Sequence, residues 1–80
     1  MALVIKFEEK PSSSASYRSE TECGYRIVDF RGKTILHLET YGSSTRAIPG
    51  KISQSLQFDV ASARELHTLL ERAFPELRGS

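Results

Sequence analysis

A single cysteine, Cys23, occurs in this 80-residue chain, so no disulfide can close within it and no cysteine-rich zinc site can be built. That fits a reducing compartment. The two histidines, His37 and His67, stand far apart, with no Cys, Asp or Glu at a recognised metal spacing, so no metal and no cofactor is expected. Nothing approaches the ~20 apolar residues of a membrane span. The opening stretch MALVIKFEEK has too short an apolar run for a signal peptide and passes at once into charge. The chain therefore reads as cytoplasmic, without a membrane partner. Charge of one sign is also missing: 11 Lys and Arg against 10 Asp and Glu leave a net +1, so any case for nucleic acid rests on local clustering.

What is present is an ordinary globular composition, 39% hydrophobic and 26% charged, which argues against disorder along the whole chain. At 9.0 kDa there is room for one small domain with a thin stability margin. Residues 1–78 read as that domain, and Gly79 and Ser80 as a cloning remnant.

Leu3, Ile5 and Phe7 alternate with Val4, Lys6 and Glu8, a period of two that predicts a first strand ended by Pro11. Residues 11–16, PSSSAS, lack apolar anchors and read as a loop. Residues 25–30 and 34–41 predict a hairpin turning at Arg31-Gly32. If Phe30 pairs with Lys33, Val28 meets Ile35 and Arg26 meets His37 on one face, while Ile27 meets Leu36 and Tyr25 meets Leu38 on the other. Ile52, Gln54, Leu56 and Phe58 share one face of a fourth strand. Asp59 then stands at a helix N-cap position. Ala63, Leu66, Leu70, Ala73 and Phe74 follow at helical spacing, with Leu69 at the margin, and Pro75 stops the helix.

The expected fold is α+β: a four-stranded antiparallel sheet followed by one C-terminal helix, in the order β-β-β-β-α. One helix covers one sheet face, expected to be that of Tyr25, Ile27, Leu36 and Leu38. The face with Val28, Phe30 and Ile35 is then left for a dimer or partner interface.

Candidate chemistry concentrates in residues 41–59, YGSSTRAIPGKISQSLQFD. Gly50-Lys51 invites comparison with a phosphate-cradling loop, but Ile52 stands where Ser or Thr should hold magnesium, and a strand follows where that motif needs a helix. Ser43, Ser44, Thr45, Arg46, Lys51 and Ser53 form a simpler candidate anion site, while Pro49-Gly50 reads as a turn. Lys51 and Ser53 lack an oxyanion-hole signature, so no catalytic residue is assigned. Tyr17, Tyr25, Phe30 and Tyr41 lie on or beside strands among Arg and Lys, the composition of a stacking-and-charge platform for single strands.

The pattern YGSxxRxIPGKxSQxxQFD, followed by an amphipathic helix ending AFPEL, resembles a family of short, uncharacterised bacterial proteins over roughly residues 24–77. At fold level the β-β-β-β-α order is similar to the small single-stranded-DNA-binding domains related to positive cofactor four. That resemblance implies dimerisation and binding across a curved sheet through aromatic and basic residues; the near-neutral charge and absent Trp depart from it.

The leading expectation is a small dimeric module that binds single-stranded nucleic acid through Arg26, Arg31, Lys33, Ser43, Arg46 and Lys51, with Tyr41 stacking. The alternative is a protein-interaction module that docks a larger partner through Val28, Phe30 and Ile35.

Overall fold

The computed structural model describes residues 2–12, 20–41 and 52–79. Residues 13–16 of the expected loop, Tyr17, Ser43, Ser44, Thr45, Arg46, Pro49-Gly50 and Lys51 lie outside these. The elements run β1 (Ala2–Leu3), β2 (Cys23–Phe30), β3 (Lys33–Thr40), β4 (Gln54–Phe58) and α1 (Val60–Ala73), with a short 3₁₀ turn over Pro75–Leu77. The strands form one sheet in the order β1-β4-β3-β2.

The hairpin has the expected register: Phe30 opposes Lys33, Val28 opposes Ile35, Ile27 opposes Leu36, Arg26 opposes His37 and Tyr25 opposes Leu38. Arg31 at φ 52° and Gly32 at φ 80° make the turn. Positive φ at both central positions gives the turn a twist that matches the strands it joins. Glycine adopts it without strain, whereas an arginine there is uncommon.

The sheet is mixed, which corrects the antiparallel expectation. β1 pairs with β4 in parallel, Ala2 beside Leu56 and Leu3 beside Gln57, and the ladder closes with the Val4 amide donating to the Gln57 carbonyl at 2.9 Å. Alternation in Leu3–Phe7 signals extended chain but carries no information about strand direction. The strand is also shorter than expected, because β4 ends at Phe58 and the chain turns into α1, leaving Ile5 and Phe7 no ladder to join.

Across the sheet, side chains sort into two faces. Tyr25, Leu38 and Leu56 form one row and Ile27, Leu36 and Phe58 the next; the opposite face carries the rows Arg26–His37–Gln57 and Gly24–Glu39–Ser55. We call these the Phe58 face and the Glu39 face. Phe58, 4% exposed, is the buried hydrophobic residue among those described, and the Phe7 ring stacks on it with centroids 6.3 Å apart and planes inclined by 7°.

Asp59 caps α1 as expected: its carboxylate accepts from the Ser62 amide at 3.0 Å, and the Asp59 amide donates back to the Ser62 hydroxyl at 3.2 Å. Reciprocal capping satisfies two amides the helix itself cannot. It also buries Ser62 to 1% exposure, and Leu66 and Leu69, half-buried, continue its stripe at i+4 and i+7. Leu70 and Phe74, expected inward, are 39% and 55% exposed.

A helix that begins directly after β4 lies beside β4, and α1 makes its main sheet contact there. Cover does not reach β2, two strands away. Tyr25 and Ile27, expected under the helix, are 69% and 70% exposed, more open than Val28 at 40%.

Candidate functional site

Among the described residues a buried polar constellation lies on the Glu39 face, where alternation along β3 puts His37 and Glu39 on one side with Arg26 from β2 and Gln57 from β4 alongside. Arg26 grips the Glu39 carboxylate as a fork, with Nε 3.3 Å from Oε1 and Nη2 3.1 Å from Oε2. The Tyr41 hydroxyl donates to Oε2 at 2.8 Å. His37 Nε2 lies 3.0 Å from Oε1, and Gln57 Nε2 lies 3.2 Å from His37 Nδ1. With the amide N–H of Gln57 donating to Nδ1, His37 carries its proton on Nε2 and donates it to Glu39.

Glu39 is 3% exposed and His37 6%, so the pair is shut away from bulk water. Burial alone drives a carboxyl toward neutrality, but the Arg26 fork and then the Tyr41 hydroxyl overcome it and hold Glu39 ionised, its pKa lowered to about 2. The same bonds raise the pKa of Arg26 and of Tyr41. Each carboxylate oxygen accepts from two donors, which fills its acceptor capacity. Glu39 has no lone pair left for a metal or a substrate proton, and the constellation acts as an electrostatic clamp joining three strands to the residue that follows β3.

Of the nucleic-acid residues expected from sequence, Arg26 and Tyr41 are drawn into this clamp, Tyr41 half-buried with its hydroxyl on Glu39. Arg31 sits at the hairpin tip with its guanidinium carbon 5.2 Å from the Phe30 ring centroid, and Lys33 is exposed at the start of β3. Ser43, Arg46 and Lys51 lie outside the described residues. For the expected interface, Val28 is 40% and Phe30 61% exposed, while Ile35 is half-buried. Sequence reasoning paired His37 with Arg26 but missed Glu39 and Gln57. The signal was there: Glu39 follows His37 by two positions, so a strand puts them on one face.

A trough of about 630 Å³ separates Phe7–Glu9 from α1, with Ala61 and Leu69 in its wall. Arg64 and Arg72 line it together with Glu8, Glu9 and Glu65, so charges of both signs face it. Among the described residues no three His, Cys, Asp or Glu side chains gather to hold a metal. No helix of the described residues is long and apolar enough to cross a membrane. No protein-family model matches the chain, nor does any curated protein or any solved structure.

Proposed function

We propose that the chain is a non-catalytic interaction module that acts as a homodimer through the Phe58 face at β2. The observation that supports this is the exposure of Tyr25 and Ile27, 69% and 70%, neighbours on one face of a strand at the sheet's edge. A second copy along β2 shelters the flanks of these side chains, each CH₂ removed from water contributing about 0.8 kcal/mol, and a two-fold contact counts each twice. The occupant is a second copy, because the edge strand beneath these side chains can pair with an antiparallel copy of itself. The saturated Glu39 carboxylate supports a binding role over a catalytic one. Light scattering tests the reading: the wild type should have twice the chain mass, and Ile27→Asp should halve it while keeping the circular dichroism of the wild type. A wild type that stays monomeric at high concentration removes the proposal.

Single-stranded nucleic acid stands as a second reading, favoured by the hairpin tip. There Phe30 is 61% exposed with the Arg31 guanidinium over its ring and Lys33 beside it. Exposed aromatic faces flanked by cations stack bases and meet phosphates. In a dimer formed at the β2 edge this surface stays on the Glu39 face, beside the seam.

A further inference from the structure

Among the described residues the edge of β2 carries an unfilled set of backbone groups whose identity follows from the hairpin. A two-residue turn closes on a pair that exchanges both backbone hydrogen bonds, here Phe30 and Lys33. Alternation then directs the amides and carbonyls of Gly24, Arg26, Val28 and Phe30 toward β3. The other side of β3 agrees, since the Thr40 carbonyl accepts from Ser53 beside β4. Cys23, Tyr25, Ile27 and Asp29 therefore point their amides and carbonyls out of the sheet, and among the described residues β2 pairs with β3 alone. Natural edges are blunted by proline, by a bulge, by brevity or by charge. Of these β2 has charge alone, at Arg26 and Asp29; it runs eight residues without proline and in an unbroken register from Cys23 to Phe30.

Resting on the homodimer proposed above, we infer that two copies join edge to edge through antiparallel β2 strands, with Ile27 opposite Ile27 of the second copy, making one continuous sheet. Charge and length select this register. Centring on Arg26 sets arginine against arginine across the axis, and centring on Val28 sets Ile27 against the Asp29 carboxylate and shortens the ladder. Centring on Ile27 pairs the whole of residues 24–30. Ile27 meets Ile27, the Tyr25 hydroxyl faces the Asp29 carboxylate, Arg26 faces Val28, and Phe30 lies across from Gly24. The residues that share free backbone groups, Tyr25, Ile27 and Asp29, form the hydrogen-bonded pairs, adding about six backbone bonds. Their side chains all lie on the Phe58 face, so the ladder and the apolar contact form together. The arrangement is strand addition with a second copy as the added strand.

Amide hydrogen exchange of the full chain, read by NMR, is the test, with oxidative cross-linking as a second measurement. In the dimer the Tyr25 and Asp29 amides, and the amide at position 27 after correction for its intrinsic rate, should exchange more than roughly tenfold slower than in the Ile27→Asp monomer. In a Cys23→Ser background, Ile27→Cys should oxidise to a covalent dimer, because facing residues of a hydrogen-bonded pair lie within disulfide reach, whereas Val28→Cys should not. A dimer whose three amides exchange as fast as in the monomer overturns edge pairing while leaving the homodimer standing. Cross-linking at Val28→Cys in place of Ile27→Cys overturns the register. A monomer overturns both proposals.

Discussion

Tyr41 reaches the Glu39 carboxylate across Gly24: a β-carbon at position 24 would overlap the Tyr41 hydroxyl and come within 3.2 Å of its ring. Gly24 opposes Glu39 in the ladder, so a missing side chain on β2 makes the space in which the phenol lies. The residue that follows β3 is thereby tied back onto the sheet.

Gly24→Ala should expel the phenol from this space or strain the sheet, at a cost of about 1–3 kcal/mol from overpacking. Denaturant titration measures the loss, and the Tyr41 ring resonances should shift with it. Tyr41→Phe combined with Gly24→Ala should lose less than the two single variants added together, since the clash is chiefly with the hydroxyl. Simple additivity would show that Gly24 does not serve Tyr41.

Acid should weaken the fold through Glu39. Its folded pKa is depressed from an ordinary 4.5 to about 2, so its contribution is fully present above 4.5 and declines as pH falls toward 2. Asp59, also lowered, chiefly by the Ser62 amide, adds a decline of the same sign. Urea midpoints measured across this range should fall with pH, and Glu39→Gln should fall less steeply from a lower starting point. An unchanged slope in that variant would assign the acid sensitivity elsewhere.

The hairpin was legible in the sequence because two-residue turns fix register and alternation fixes faces, and Asp59 was legible because a cap is a local event. What escaped was set between elements. The direction of β1 depends on where the chain returns, and the exposure of Tyr25 and Ile27 depends on α1 lying along β4 rather than across the sheet. The inward stripe of α1 starts from Ser62, a polar residue that hydrophobic periodicity passes over, which moved Leu70 to the margin. Glu39 lay outside the sequence-based site because an acidic residue in a strand reads as solvated until Arg26, Tyr41 and His37 are found converging on it.

Phe58 anchors what core the described residues share, so Phe58→Ala should cost ~3–5 kcal/mol. Leu70→Ala, at a position 39% exposed, should cost under ~1.5. Chemical denaturation of the two variants distinguishes the observed helix orientation from one that turns Leu70 inward. Equal losses would refute the observed packing.

Ser62→Ala removes the hydroxyl that accepts from the Asp59 amide and leaves that amide without its capping partner. A loss of ~1 kcal/mol is expected. Ser62→Thr keeps the hydroxyl but adds a methyl at a site 1% exposed, and should also destabilise. If alanine proves neutral while threonine is costly, Ser62 is there for its size alone.

Arg31 holds a left-handed backbone that suits asparagine better, and its guanidinium covers the Phe30 ring. Arg31→Asn should therefore raise stability by up to ~1 kcal/mol, because asparagine-glycine is the favoured pair for this turn. If the hairpin tip meets single-stranded nucleic acid, the same change should weaken binding to an oligonucleotide. It should also lower the salt dependence by ~0.7 in log–log slope, the value for one phosphate on a single strand. Both outcomes together would put Arg31 in place for the ligand at the expense of its own turn. Higher stability with unaltered oligonucleotide affinity would exclude Arg31 from that role. A wild type that binds no oligonucleotide at low salt, where attraction is least screened, would end the nucleic-acid reading altogether.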